Sequence, residues 1–535
     1  MKPVQYTAPG LYYEAITPVA EPSPLRSDVA GFVGRTWRGP VGVAMRVTGW
    51  RECELIFGGL QPDANTPIAL QGYFDNGGDV AYVVRLLGPA PADDPDEIVA
   101  CATWDLTRPS GASEPLQDWN PLNAGFQAVT LKIMASSPGA WANGLRVSPR
   151  FRQQGASGNA EIDLVVHAAR EAAEYLIGID PGDIVDQVAR RSRLIRIVEP
   201  EAGSIGKAPA AQPRLLRWQD ILLSGGSDPP VSAELYQAGL QSLRDEPEVA
   251  LVALPDLPGD LPSDQVTAIQ YEALLQGDLA HDRVVLLDLP SADLDGPGAV
   301  SWSKAIRGAG LGDALRSAVA YHPWLSVQDP FGGTARPLRS IPPCGHVAGV
   351  ISRLDRERGA QYTPANVTMA DVMDVTGVYN LAERAALNEA GVNVLRCISG
   401  QGIQIWGGRT LYPDPFKQEP GKQFIAHRRL IHRLVRAIRR VAEPLVFESN
   451  GPALWLALTR AITTVLVEAY RAGGLKGSRP DEAFLVHCDA TNNSPDAVDR
   501  GEVLCEIQVA PAVPMEFITL RVSVSAAGSL DVFEK

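Results

Sequence analysis

The sequence predicts an α+β chain of several domains. Residues 126–200 hold strand-like runs between two Pro- and Ala-rich stretches, which marks a β-rich insertion. Residues 214–375 alternate short apolar runs with helical patterns, the signature of an α/β unit with a parallel sheet. Residues 376–512 mix longer helical patterns with strands. A chain of 535 residues has room for about three or four such domains.

Taken in order, residues 1–25 carry Pro3, Pro9, Pro18, Pro22 and Pro24, so no helix of useful length fits. Tyr6, Leu11, Tyr12, Tyr13 and Ile16 lie between them. An extended arm so rich in aromatics is expected to find a partner elsewhere. Residues 26–88 alternate short strands with Gly and Pro turns, with a buried strand at 80–87 and a short helix ending at 70–74. Residues 89–118 read as a linker or surface loop. Strands follow at 128–134, 144–148, 161–167 and 194–198, with a turn at 139–144 and a second linker at 199–213.

In the α/β region a helical stretch runs from about 222 through Tyr236 and Leu243. The apolar runs 249–254 and 283–289 each stop at a proline. Beyond 376 the pattern gives a helix at 380–390 and strands at 392–397 and 403–406. Helices at about 424–441 and 452–472 and strands at 482–488 and 502–509 follow. The segment 515–533 alternates apolar and polar residues, as a terminal strand or hairpin would. No internal repeat appears, so repetition has to come from copies of the whole chain.

Composition narrows the function classes. Hydrophobic content of 45% and charged content of 21% are ordinary for a soluble globular protein. A net charge of −14 opposes general nucleic-acid binding. The charge is uneven: residues 371–535 hold 18 basic and 19 acidic side chains, leaving 30 and 43 for the rest. The six cysteines, at 53, 101, 344, 397, 488 and 505, form no Cys-x-x-Cys pair and read as buried free thiols, not a zinc site or disulfide framework. The N-terminus lacks a secretory signal. The most apolar stretch, 453–470, is broken by Arg460 and Glu468 and reads as an amphipathic helix, which points to a cytosolic protein.

Enzymatic motifs are weak. The block Cys344-Gly345-His346-Val347-Ala348-Gly349 resembles the surroundings of the histidine in subtilisin-like proteases, and Asp374-Val375-Thr376-Gly377 mimics their acid. A hydrolase of that kind needs a serine at hydrogen-bond reach of the histidine. The nearest text, Gly332-Gly333-Thr334-Ala335-Arg336, has none, and the Asp follows the His in the wrong order. His346 is therefore expected to be structural. Gly473-Gly474-Leu475-Lys476-Gly477-Ser478 lacks the order of a phosphate loop. His427 and His432 are five apart and share no helix face for a metal. The acidic run 92–97 reads as a solvated loop.

The strongest local pattern spans 428–441. Leu430, Ile431, Leu434, Val435, Ala437, Ile438 and Val441 fill one arc of a helix. Arg428, Arg429, His432, Arg433, Arg436, Arg439 and Arg440 fill the other. Like charges at i,i+4 repel, and no acid relieves them before Glu443. A solvated face, a nucleic-acid or membrane surface and contact with an acidic protein all fit this pattern. Total charge and missing aromatics oppose the second, and the third is preferred.

Several blocks in order carry a family resemblance. They are Gly31-Phe32-Val33-Gly34-Arg35-Thr36-Trp37-Arg38-Gly39-Pro40, Gly49-Trp50, Phe57-Gly58-Gly59 and Tyr73-Phe74-Asp75-Asn76-Gly77-Gly78-Asp79-Val80-Ala81-Tyr82-Val83-Val84-Arg85 near the start. Near the end they are Leu387-Asn388-Glu389-Ala390-Gly391-Val392-Asn393, Trp406-Gly407-Gly408-Arg409-Thr410-Leu411, Arg428-Arg429-Leu430 and Ala510-Pro511-Ala512-Val513-Pro514-Met515-Glu516-Phe517-Ile518. Together they resemble the sheath protein of contractile phage tails, tailocins and related injection systems.

The resemblance implies a mechanical polymer, not an enzyme, and requires no cofactor or metal. It implies a discontinuous inner α/β core from 26–88 and 376–512. A β-rich insertion at 89–213 and a non-catalytic subtilisin-like α/β domain at 214–375 would interrupt that core. Extended arms would occupy 1–25 and 513–535. Copies would stack as six-fold rings around an inner tube protein, with baseplate and tail-end cap proteins as further partners and no nucleic acid or membrane insertion. The helix bearing Arg428, Arg429, His432, Arg433, Arg436, Arg439 and Arg440 would face the tube. Tyr6, Leu11, Tyr12, Tyr13, Ile16, Phe517, Leu520, Val522 and Val524 would link subunits by strand exchange. Assembly would take place in the cytoplasm of the producing bacterium, within a phage-tail-like particle.

Overall fold

The computed structural model describes residues 26–90, 98–109, 126–153, 160–170, 172–198, 220–291, 294–333, 337–413, 420–512, 518–524 and 530–534. The first elements are β1 (Ala30–Gly34), β2 (Met45–Val47), α1 (Trp50–Phe57), α2 (Thr66–Asp75) and β3 (Ala81–Arg85). All five residues of β1 are buried, and the strand pairs in parallel with β3, Phe32 lying opposite Val83. α1 ends where Gly58 adopts left-handed backbone at φ 84°, a conformation glycine takes without a steric penalty. Pro67 in the first turn of α2 suits a helix start, where its missing N–H leaves no bond unmade.

A β-rich unit follows. It contains β4 (Cys101–Pro109), β5 (Phe126–Ala135), β6 (Arg146–Gln153), β7 (Ala160–His167), β8 (Glu174–Ile179), α3 (Ile184–Arg191), β9 (Ile195–Val198) and β10 (Ile221–Leu222). Two antiparallel sheets, ordered β4-β5-β9 and β10-β6-β7-β8, share one core that includes Trp104, Leu131, Ile133, Val147, Leu164 and Val188. β4 lies in the stretch expected to be a loop. Its alternation of Ala102, Trp104 and Leu106 with Thr103, Asp105 and Thr107 is a strand pattern, obscured by the Pro- and Asp-rich run just before it.

The chain then builds α4 (Ala233–Arg244), β11 (Leu251–Ala253), α5 (Leu257–Asp260), α6 (Ser263–Ala280), β12 (Val284–Leu287), α7 (Gly296–Gly308) and β13 (Ala318–His322). After these come β14 (Leu325–Gln328), β15 (Leu338–Ile341), α8 (Cys344–Glu357), β16 (Val367–Thr368), β17 (Asp374–Val375), α9 (Leu381–Glu389), β18 (Val392–Ile398) and β19 (Gly402–Trp406). α9 starts in a capping box: Asn380 accepts from the Glu383 N–H, and Glu383 accepts from the Asn380 N–H.

One nine-stranded sheet runs β16-β19-β18-β13-β12-β11-β1-β3-β2. Its strands from β18 to β3 are parallel, and the edges are antiparallel. Side chains of α4, α6, α7 and α9 pack on one face, and those of α1, α2 and α8 on the other. Parallel strands need cover on both faces, which explains their near-continuous apolar sequences.

This sheet corrects the expected domain division. β1 and β3 are joined to β11 in one ladder, and β18 is joined to β13. Residues 26–88 and 392–406 therefore complete the sheet of the 214–375 region instead of forming a separate core. A strand such as β1, buried on both faces and hydrogen-bonded on both sides, cannot stand without these neighbours.

From residue 420 a further unit forms. It comprises α10 (Pro420–Gln423), α11 (Ile425–Ala442), α12 (Pro452–Arg471), α13 (Pro480–Ala483), β20 (Phe484–His487), α14 (Pro495–Asp499), β21 (Val503–Val509), β22 (Ile518–Val524) and β23 (Leu530–Glu534). The strands form an antiparallel sheet in the order β20-β21-β22-β23. β21 buries every second residue: Val503, Cys505, Ile507 and Val509. These share a core with Leu430, Leu434 and Ile438 of α11 and Leu458, Ile462 and Leu466 of α12. Among the described helices α12 is long and apolar enough, by length and composition, to cross a membrane; it also has the amphipathic pattern expected of 453–470. Its stripe from Leu454 to Leu466 faces this core, and Leu456, Arg460, Thr464 and Glu468 are exposed opposite.

The N-terminal arm, with Tyr6, Leu11, Tyr12, Tyr13 and Ile16, lies outside the described residues, as do Phe517 and the 199–213 linker. The backbone carrying Leu520, Val522 and Val524 is β22, which pairs with β21 of its own chain from Val509↔Ile518 to Val503↔Val524. The family resemblance implies that this C-terminal strand pairs with a neighbouring subunit. In the single subunit it has one.

Candidate functional site

The basic face of α11 is buried against the α/β body. Arg429, 4% exposed, donates to Asp355 at 2.6 Å and to the Ser27 carbonyl at 2.9 Å. The Ser27 hydroxyl donates to the same Asp355 oxygen at 2.6 Å. Arg436 donates to the carbonyls of Asp282, Arg26 and Glu248 at 3.1, 3.0 and 2.9 Å, and to that of Val249. Arg439 reaches Asp282 at 3.3 Å and the Ala280 carbonyl at 2.8 Å.

Residues 26–27, 248–249 and 282 directly precede β1, β11 and β12. The helix thus lies across the N-terminal edge of the parallel strands. A guanidinium carries five donors and no acceptor, which suits it to a row of strand-end carbonyls beside a carboxylate.

This placement corrects the tube-facing assignment. Arg428, Arg429, His432 and Arg436 are buried in the subunit, and Arg433, Arg439 and Arg440 are half-buried. The acidic partner expected for this face belongs to the same chain, as Asp355 and Asp282. Burial lowers Arg436 to about 10 despite the opposing pull of Asp282. His432 sits 3.3 Å from Arg428, and burial together with that cation drives it well below its ordinary value, so it is neutral. The apolar face of α11 packs on α12 and β21, which makes α11 the joint between the C-terminal unit and the sheet.

Sequence reading missed a second joint of the same kind. Arg85, 1% exposed at the end of β3, donates to the carbonyls of Thr36, Gly39 and Pro138 at 3.2, 2.9 and 3.0 Å. Pro138 lies in the β-rich unit. An arginine closing an otherwise apolar strand was the available signal.

Open α/β sheets hold ligands at the carboxyl ends of the strands, where the strand order reverses. Here that point lies between β1 and β11, and the protein's own side chains fill it. Asp256, 1% exposed, accepts from the Arg35 N–H at 2.8 Å, the Thr66 hydroxyl at 2.7 Å and the Asn65 N–H. Asp260 pairs with Arg35 at 2.9 Å and takes the Tyr236 hydroxyl at 2.8 Å. Burial raises Asp260 to about 6, with Asp256 adding to the effect.

His346 lies on α8, pressed against α2. A Cβ placed on Gly72 would come within 2.2 Å of its ring, so only glycine allows this crossing. Its Nδ1 has no hydrogen-bond partner among the described residues, and burial lowers the imidazole to about 4. Asp374 is exposed on β17 and joins no triad with this sealed ring. His346 is a neutral core residue whose removal would open a cavity, not an inert position.

Asp288 is buried near the start of α8 and accepts the Cys344 N–H at 3.2 Å. Burial pushes its carboxyl up to about 7. An acid raised in the folded state keeps its proton after the unfolded chain has lost it. Its contribution to stability is therefore fully present at low pH and declines as pH rises from about 4 to about 7. Asp288→Asn keeps the acceptor and removes the charge. Its stability relative to the parent should rise across that window and level off above it, by roughly 3–4 kcal/mol at most. Urea unfolding at about pH 4.5 and about pH 8 checks this. A difference independent of pH would refute the buried-carboxylate account.

Fold and side chains together describe a subunit whose parts are clamped by buried arginines and whose sheet crevice is plugged. Residues 232–411 match the phage tail sheath protein central domain, and residues 418–525 match the phage tail sheath C-terminal domain. The tail sheath protein of Vibrio phage KVP40 is 26% identical over 386 residues, 69% of this chain and 55% of that protein. The chain thus spans about half the length of this curated relative. The sheath tail protein from Listeria innocua superposes with a TM-score of 0.62 at 12% identity, covering 93% of this chain and 94% of its own. The anti-feeding prophage helical sheath in its contracted state gives 0.52 at 21% identity, covering 96% and 98%. The chain belongs to the contractile tail sheath family.

Proposed function

We propose that this chain is the structural subunit of a contractile sheath. Copies polymerise around an inner tube and shorten from a metastable extended state, driving the tube through a target envelope. The observation that carries this reading is the presence of both sheath domains, in order, in one chain. A solved relative of the same fold forms a helical sheath, and another comes from a six-fold baseplate, which supports self-association and a baseplate partner. Assembly in the producing cell's cytoplasm, with a cap protein at the tail end, completes the reading.

The mechanics need linked subunits and two packings of the same surface that differ by a few kcal/mol per copy. Head-to-tail contacts that do not close give the polymer. Exchange of the β22–β23 hairpin onto a neighbour's β21 gives a link made of main-chain hydrogen bonds. With the basic face of α11 turned inward, we place the tube contact on the outer face of α12, at Leu456, Arg460, Thr464 and Glu468. The α/β region with α8 remains subtilisin-like by resemblance. The hydrolase alternative has no support, since His346 is sealed and the family is a structural one.

Electron microscopy of the purified full-length protein is the direct test. Hollow, cross-striated tubes are expected. Only dispersed subunits, at concentrations where related sheaths polymerise, would sink the reading.

A further inference from the structure

Cys397 is exposed on β18, whereas Cys488 and Cys505 are buried in the C-terminal unit. The register of β20 on β21 runs from Phe484↔Val509 to His487↔Glu506. One further step sets Cys488 opposite Cys505. Opposed residues of antiparallel strands lie about 4.5–5.5 Å apart between Cα atoms. That falls inside the window of about 4.4–6.8 Å that a disulfide spans.

The connecting loop fixes this approach. Asn493, 2% exposed, accepts the Leu504 N–H at 2.6 Å and donates to the carbonyls of Asp489 and Leu504 at 3.0 Å each. These bonds tie the residue after Cys488 to the residue before Cys505, so the two cysteines cannot drift apart independently.

We propose that Cys488 and Cys505 are a disulfide-forming pair, oxidised by a small-molecule disulfide once the protein leaves a reducing compartment. The site stands on its own geometry; only the occasion for oxidation rests on the sheath reading. The Cys488 thiolate attacks one sulfur of the small disulfide, forming a mixed disulfide and expelling a thiolate. The Cys505 thiolate then attacks the Cys488 sulfur, closes the protein bond and expels the second thiolate. Two protein thiols are oxidised, and the small disulfide is reduced to two thiols that take up the two cysteine protons.

Cys488 is the attacking group because it is the less buried, at 8% exposed against 0%. The Cys505 thiol donates a hydrogen bond to its sulfur and holds Cys488 below its ordinary value, while that same contact and burial push Cys505 up. The bond staples β20 to β21 on the edge away from β22. It stiffens the sheet without occupying the edge where β22 adds.

The test treats the folded full-length protein with oxidised glutathione at neutral pH, followed by acid quench and a non-reducing peptide map. Exposed Cys397 acquires glutathione and reports that the oxidant acted. The expected product is a linked peptide containing Cys488 and Cys505, lost on reduction and absent from Cys488→Ser. The oxidised parent should also melt about 5 °C above the reduced parent. Modification of Cys397 with both other thiols still free overturns the proposal, as does a stable glutathione adduct on Cys488. A linked peptide in a protein that forms no tubes would uphold the disulfide and refute the sheath reading.

Discussion

Replacing Arg429 and Arg436 together by glutamate should unfold the subunit. Arg429 and Asp355 form a buried pair with side chains 4% and 2% exposed. Removing one partner of such a pair costs about 3–5 kcal/mol, because the other charge stays buried without compensation. A glutamate at 429 goes further, since it sets a second carboxylate against Asp355. At 436 the change strips donors from the carbonyls of Arg26, Glu248, Val249 and Asp282. Each buried carbonyl left unpaired costs about 1–3 kcal/mol. A domain has only about 5–15 kcal/mol in total to lose. Circular dichroism of the purified double variant should show no cooperative melt, with most of the protein insoluble. Arg433→Glu, at a half-buried position of the same helix, should melt within about 1 kcal/mol of the parent. A soluble double variant with the parent's melting point would mean the basic face is not packed on the body. With this face turned to a tube protein, as the family resemblance implies, reversing 429, 433 and 436 would spare the fold.

That difference shows which features of the chain were legible. The two arcs of α11 follow from spacing, and the helix is where the spacing puts it. What the charged arc faces does not follow from spacing. Its partners lie 74 and 154 or more positions away, at Asp355 and at the strand ends near Asp282 and Val249. A buried arginine row and a solvated one have the same local pattern. The same limit hid the sheet. Short apolar runs at 251–253 and 284–287 announce buried parallel strands, but nothing local says that β1, some 220 residues earlier, completes their ladder. His346 was legible as structural because a catalytic partner set was missing from the text. Its burial was not, because it depends on the absent side chain of Gly72 on another helix. The Cys488 and Cys505 pairing was hidden for a similar reason, since their spacing acquires meaning only through the β20–β21 register.

Deleting residues 1–25, or residues 513–535, should abolish polymerisation and leave the subunit folded. The C-terminal case is the sharper one. β22 adds to β21 through a regular antiparallel register from Val509↔Ile518 to Val503↔Val524. Among the described side chains the core of α11, α12, β20 and β21 draws on residues before 510, and this core should persist without the hairpin. Loss of β22 leaves the edge of β21 with unpaired N–H and C=O groups, an open template for an added strand. If neighbours are linked by exchanging this hairpin, a subunit lacking it can receive a strand but cannot give one. Chains of contacts then end after a single addition, and mixing truncated with intact protein should cap growth in proportion to the truncated fraction. For the N-terminal arm the argument rests on sequence alone: Tyr6, Leu11, Tyr12, Tyr13 and Ile16 need apolar cover, and the proline spacing denies them a helix of their own. Sedimentation velocity should find both truncations monomeric, each with a cooperative thermal transition. Electron microscopy should find no striated tubes where the intact protein makes them. Tubes of normal length from the 513–535 deletion would show that this hairpin is not what links the subunits, and strand exchange at this sheet would have to be abandoned.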